Sequence, residues 1–302
     1  MTAKIALCFI IGKKHVLYKE HIWRNWIEYN KDIINIYFHY DEYNKIKSDW
    51  IKKYSMPEKY LQKTEYFNVV PAYMSLMSFA YMHDKHNEWF CFLTESCCPL
   101  ISPEQFRHLF LSNSQKSYFK WKPAYWNIDL HKRANLKHLN KRFHLSNDPW
   151  FILCRYHVCK CLQFMIDYHH LYLLICKGGL ANESIFAIML ETYLELGELS
   201  RNKIINVSST LCNWDKMSST TSPYIFENNS QYEIDYILSN KNENSIFIRK
   251  VYPNFSDKLI TFFILTGEKP QKERWGFILL FFVYLSFIYF IFILRKIDLF
   301  FY

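Results

Sequence analysis

The sequence predicts an α/β layer fold with a mostly parallel sheet, followed by one transmembrane helix near the C-terminus. Near-continuous apolar runs at Lys4–Ile11, Ile33–Phe38 and Trp89–Leu93 have the length and composition of strands covered on both faces. Segments with apolar residues at three- and four-residue spacing alternate with these runs, the order expected of strands joined by crossover helices. From Trp275 to Leu294 the chain reads WGFILLFFVYLSFIYFIFIL, twenty residues without a charge, closed by Arg295 and Lys296. At ~1.5 Å rise per residue, such a segment crosses a hydrocarbon core of roughly 30 Å. The organisation is therefore one large domain over 1–267, a membrane span over 275–294 and a short tail over 295–302.

Along the chain, Lys4–Ile11 is the first strand and Gly12 closes it. Tyr18–Tyr29 carries Ile22, Trp23, Trp26 and Ile27 at helical spacing. Ile33–Phe38 is the second strand, ending in His39-Tyr40-Asp41, and a lysine-rich polar stretch broken by Pro57 follows. Val69-Val70 reads as a short strand, and Ala72–His83 as a helix with Tyr73, Leu76, Met77, Ala80 and Tyr81 on its apolar face. Trp89–Leu93 is the third strand, running into Thr94-Glu95-Ser96-Cys97-Cys98. Ser102-Pro103-Glu104-Gln105 has the form of a capped helix start with proline in the first turn. Beyond Ser112 the pattern loosens, Trp121, Trp126 and Trp150 punctuate polar loops, and Phe151–Tyr168 is mixed. A long helix is expected from Asn182-Glu183 through Tyr193, and a strand over Ile246–Val251.

Composition narrows the function classes. The net charge is +9, but its basic residues are dispersed in short clusters such as Lys132–Arg133 and Lys141–Arg142. No zinc-finger spacing or basic recognition helix focuses that charge, so nucleic acid is not an expected partner. Only six glycines are present, which disfavours folds that need several glycine-dependent phosphate loops. The nine cysteines form no small-domain disulfide pattern. The opening MTAKIALCFIIG is too short and strand-like for a secretory signal. A C-terminal span without a leader predicts a single-pass membrane protein whose large domain lies in the cytosol.

Strand ends are where α/β sheets place their ligands, which singles out Gly12–Lys14, His39 with Asp41, and Thr94–Ser96. No G-x-G-x-x-G follows the first strand, and G-x-x-x-x-G-K-[ST] and G-x-S-x-G are absent. Glu183, after the Gly178-Gly179 turn, is placed where a carboxylate either decorates a first helical turn or takes a proton from a substrate hydroxyl. A helix N-terminus would stabilise the charged form and lower its basicity. Arg249 and Lys250 are adjacent on a strand and so should point to opposite faces. One of them suits the developing charge of a diphosphate leaving group.

Several blocks occur in an order that resembles the core-2/I-branching β-1,6-N-acetylglucosaminyltransferase family, its plant relatives and, more distantly, peptide O-xylosyltransferases. They are KIALCFIIG at 4–12, IYFHYDE at 36–42, VPAYMSLMSFAYMH at 70–83 and EWFCFLTESCCPLISPEQF at 88–106. NDPWFILCR at 147–155, GGLANESIFAIML at 178–190, VSSTLCNWDKMSSTTSPYIF at 207–226 and SIFIRKVYP at 245–253 continue the series. The stretch around TESCCPLIS is the most specific.

The resemblance implies a GT-A-like nucleotide-sugar transferase fold with one twisted mixed sheet between helices. It implies an inverting transfer of a sugar, N-acetylglucosamine by analogy, from a UDP-sugar donor to the hydroxyl of a glycan or other acceptor. No cofactor and no divalent metal are expected. Thr94-Glu95-Ser96 stands where most relatives of the fold carry a metal-binding Asp-x-Asp. Glu183 matches the family's general base and Lys250 its diphosphate ligand, with Arg249 beside it. Trp214, Asp215, Glu95 and Asp41 complete the expected donor-binding set. The alternative from another class is a catalytically inactive, membrane-tethered descendant that serves as a binding or scaffold protein.

Overall fold

A computed structural model describes residues 3–266, apart from 66, 198, 199, 201, 202 and 220. The expected membrane segment, 275–294, lies outside the described residues. Among the described helices none is long and apolar enough to cross a membrane.

The chain opens with β1 (Lys4–Ile10), α1 (Glu20–Glu28), β2 (Ile34–His39), the short α2 (Asp49–Lys53), α3 (Val70–His83) and β3 (Asn87–Thr94). Both β2 and β3 pair in parallel with β1, through Leu7–Ile36 and Leu7–Cys91. After β4 (Cys98–Pro99), α4 (Pro103–Asn113) starts as expected. The Ser102 side chain accepts the Gln105 N–H and the Gln105 side chain returns to the Ser102 N–H. Then come β5 (Ser117–Tyr118), β6 (Trp121–Pro123), β7 (Leu145–Asn147), β8 (Ile152–Cys154), α5 (Arg155–Asp167), α6 (His169–Cys176) and α7 (Ile185–Thr192). The described part ends with β9 (Ile204–Ile205), β10 (Thr210–Cys212), α8 (Gln231–Asn240), β11 (Phe247–Arg249) and α9 (Asp257–Thr266).

Six strands form one mixed sheet in the order β2-β1-β3-β8-β5-β9. Its first three strands are parallel, whereas β8 runs antiparallel to both β3 and β5. Alternate residues of β1 explain its uninterrupted apolar run: Ile5, Leu7 and Phe9 enter one core, and Ala6, Cys8 and Ile10 enter the other. The first core is closed by Trp23 and Trp26 of α1, Phe106 and Phe110 of α4, and Phe263 of α9. The second holds Tyr73 and Met77 of α3, Phe164 of α5 and Phe186 of α7. A three-stranded sheet, β10-β11-β4, packs at the edge of the first core.

Two local expectations are corrected. Val69-Val70 is not a strand: Val70 is the first residue of α3, and Pro71 in that first turn supplies the fixed φ that starts the helix. The mixed stretch from Phe151 resolves into β8 followed directly by α5. Here a buried histidine does the fastening. The Ser117 hydroxyl accepts the Cys154 N–H at 2.8 Å and shares a 2.7 Å hydrogen bond with His157 Nδ1, locking β5, β8 and α5 together.

Burial pushes both His157 and His39 down to about 4, with Glu195 opposing the shift at His157 and Asp41 at His39. Both are therefore neutral in the fold and take up a proton on unfolding once the pH is below 6.5, so their stabilising effect is complete above 6.5 and is lost as pH falls toward 4. The unfolding free energy should fall across that window by about 3 kcal/mol per histidine. Equilibrium unfolding of wild type and His157→Gln at both ends of the window checks this; the variant should show the shallower slope.

Candidate functional site

A cavity of about 950 Å³ opens at the C-terminal ends of the parallel strands. Gly12 after β1, Asp41 after β2, and Thr94 and Glu95 at the end of β3 all line it. This is the position at which parallel α/β sheets present ligand sites. The opposite contributions come from β7 and the residues after it, the turn carrying Glu183, β10, and the end of β11. Of the seven residues singled out in the sequence, Asp41, Glu95, Glu183, Trp214, Arg249 and Lys250 line this one cavity. Asp215 does not: its side chain is exposed, and its N–H is held by Asn213 Oδ1 at 3.1 Å.

Arg249 and Lys250 do not face different environments, as strand alternation suggested; both reach the cavity. The Arg249 guanidinium lies 4.4 Å from the Trp150 ring centroid, and Trp150 in turn stacks on Trp214. Arg249 Nη1 donates to Thr94 Oγ1 and, at 2.7 Å, to Ser96 Oγ, while its buried Nε has no partner among the described residues. Lys250 Nζ donates to Ser222 Oγ at 3.0 Å. Burial, and then the neighbouring Arg249 charge, pull the Lys250 ammonium below its ordinary value. Neither cation has a carboxylate ion-pair partner among the described residues. The Glu95 carboxylate acts on Lys250 from a distance and opposes that shift, so the two adjacent cations are partly desolvated and not ion-paired among the described residues.

The acids around them are set by the strand ends. Glu95 packs against the backbone at Gly12, its Oε1 3.4 Å from where a Cβ would stand, an ordinary contact distance. Asp41 Oδ1 accepts from the Thr64 hydroxyl at 3.3 Å. Among the described residues no group of three His, Cys, Asp or Glu side chains converges as a metal-ligand set.

Glu183 is not in the first turn of a long helix. It ends a 3₁₀ turn, Ala181–Glu183, and Ser184 at φ −145°, ψ −38° interrupts the chain before α7 begins. The helix N-terminus therefore does not set its basicity. Burial raises the Glu183 carboxyl, the Arg133 guanidinium opposes that shift, and Asp148 adds to it. Glu183 Oε2 lies 3.2 Å from Arg133 Nη1, with each side chain 22% exposed. The turn is held from below by Asn147, whose Nδ2 donates to Asn182 O at 2.9 Å and whose Oδ1 accepts the Ala187 N–H at 3.2 Å.

Three residues of this end escaped the sequence reading. Asp148 lines the cavity, and burial raises its carboxyl against the pull of Ser208, Lys122 and Lys120. Its only signal was membership of the NDPW run. Arg133 and Trp126 gave none. The Arg133 turn requires Ala134 and Asn135 at φ 50° and 51°, and it closes on Gly178, where a Cβ would meet Asn135 N at 2.3 Å. Ala134 N–H also donates to Gly179 O at 3.0 Å, so the glycine pair fastens the Arg133 turn beside the Glu183 turn.

No family model matches the chain, and no curated protein matches it. Asn147→Ala leaves the Asn182 carbonyl and the Ala187 N–H without their buried partner. It should lower stability by about 2–4 kcal/mol, read as a shift in denaturant midpoint, while Asn147→Gln recovers only part of the loss.

Proposed function

We propose that the chain is an inverting, metal-independent glycosyltransferase that moves a sugar from a UDP-sugar to an acceptor hydroxyl. N-acetylglucosamine is the first donor sugar to test, on the strength of the motif resemblance. The observation that carries the proposal is the meeting, in one cavity at the sheet's C-terminal edge, of a half-buried carboxylate and two cations that form no ion pair among the described residues. The mixed sheet between helix layers suits the GT-A-like fold that the ordered motif series implies. A cavity of about 950 Å³ is ample for a sugar nucleotide.

The proposed chemistry balances as a single displacement. The acceptor oxygen forms a bond to the anomeric carbon as the bond from that carbon to the diphosphate oxygen breaks. Glu183 receives the hydroxyl proton, and the electron pair leaves with UDP. Arg249 and Lys250 neutralise the charge that develops on the departing diphosphate, the task a divalent ion performs elsewhere. Trp150 packs against the Arg249 guanidinium and is itself backed by Trp214. Attachment to a membrane through 275–294, with the domain on the cytosolic side, belongs to the same proposal.

The inactive-scaffold reading draws on one observation, the pairing of Glu183 with Arg133 in place of a free carboxylate. Turnover separates the two. The full chain, incubated with individual UDP-sugars in EDTA, should release UDP from one donor. Glu183→Gln should reduce that rate about 100-fold or more, and Lys250→Ala by a comparable factor. A chain that binds neither UDP nor any UDP-sugar is not a transferase of this kind.

The pH profile supplies an independent check. Glu183 must be ionised to accept a proton, and its carboxyl is raised above 4.5. Activity should therefore fall as pH decreases through a value above 4.5. Arg133→Gln, which removes the opposing charge, should move that acid limb to higher pH.

A further inference from the structure

A second group of cations belongs to the Glu183 end of the cavity. Lys120 and Lys122 line it, and both act electrostatically on Asp148, which in turn acts on Glu183. Neither lysine has an ion-pair partner among the described residues. Lys120 Nζ reaches only the Asn206 carbonyl at 3.5 Å, and Lys122 Nζ sits 4.5 Å from the Tyr125 ring centroid. Arg133 lies between Glu183 and Trp126, its guanidinium carbon 5.1 Å from the indole centroid. Trp126 lines the cavity, and its buried Nε1–H has no partner among the described residues. Tyr125 also lines the cavity, its ring set edge-on to Trp126 at 5.2 Å between centroids.

A neutral hydroxyl that approached Glu183 would have to share the carboxylate with a guanidinium already paired to it. That pairing holds the carboxylate's proton affinity down, and a neutral ligand offers Arg133 nothing in exchange. A carboxylate on the ligand does, because it accepts two parallel hydrogen bonds from the guanidinium. It also adds to the negative charge that Asp148 already sets beside Lys120 and Lys122. We infer that the acceptor is an acidic saccharide, a sugar carrying a carboxylate near the reacting hydroxyl, whose carboxylate takes Arg133 away from Glu183. This rests on the transferase reading of the cavity. Recognition of the right acceptor then also frees the base, so that Glu183 takes a proton more readily from such an acceptor than from water.

The test uses the full chain saturated with UDP, titrated with methyl β-glucuronide and with methyl β-glucoside, which differ in the carboxylate. Wild type should bind the glucuronide about tenfold or more tightly than the glucoside, the gain expected of one charge-assisted pair. Arg133→Gln should erase that preference, and Arg133→Lys, which keeps the charge but not the bidentate geometry, should reduce it. Glu183→Gln should strengthen glucuronide binding, because the carboxylate that competes for Arg133 is gone. Equal affinity for both sugars, no binding of either, a preference that survives Arg133→Gln, or weaker glucuronide binding in Glu183→Gln would overturn the inference. UDP affinity measured on the same samples separates the two levels. Failure to bind UDP overturns the transferase reading itself, whereas UDP binding without a glucuronide preference overturns only the acidic acceptor.

Discussion

The guanidinium of Arg249 packs against Trp150 and donates to both Thr94 and Ser96, and the geometry of the cavity depends on that arrangement. Thr94 ends the third parallel strand, and Arg249 ends β11 of the small sheet, so the contact joins two sheets at the cavity floor. Backbone pairing reinforces it: Val251 N–H donates to Ser96 O at 2.9 Å, and Leu100 N–H to Ile246 O at 2.9 Å. Arg249 therefore keeps its place without a carboxylate partner. Its charge stands next to that of Lys250 with no ion pair to either among the described residues, and on the proposed reading the donor diphosphate meets both.

The other end of the cavity follows a different logic. Glu183 and Asp148 are both raised by burial, and each sits within the field of cations that pull it back. Such a balance leaves a carboxylate responsive to its surroundings, since removing one cation or adding one anion changes its basicity. The short turns that hold Glu183 and Arg133 are fastened to one another through Gly178 and Gly179 and to the sheet through Asn147. The backbones of the two turns thus keep their relation, and the Arg133 side chain is the part a ligand would have to move. On the proposed reading, the cation pair handles the leaving group and the Glu183 cluster handles the acceptor.

Much of the frame was legible in the sequence because burial on both faces leaves an unmistakable pattern. The apolar runs of β1, β2 and β3 and the Ser102 capping box are local signals, and the fold uses them directly. The strands β5 and β9 have two residues each, too few for any period to register. The start of α7 was misplaced because Asn182-Glu183 resembles a helical first turn, whereas the backbone break falls at Ser184. Arg249 and Lys250 were read as a pair, but that both enter one cavity is a property of the assembled chain. Arg133 and Asp148 belong to segments whose conformation is fixed by distant partners, Gly178 for the first and the buried cavity wall for the second.

If two cations, and not a metal ion, hold the diphosphate, then affinity must reside in the phosphates and must not require a divalent ion. Calorimetric titration of the full chain with UDP and with uridine, in EDTA and again with added manganese, measures this directly. UDP should bind in EDTA, at least about 100-fold more tightly than uridine, and manganese should leave its affinity unchanged. Equal affinity for UDP and uridine, or UDP binding that appears only with manganese, would contradict the central role given to Arg249 and Lys250.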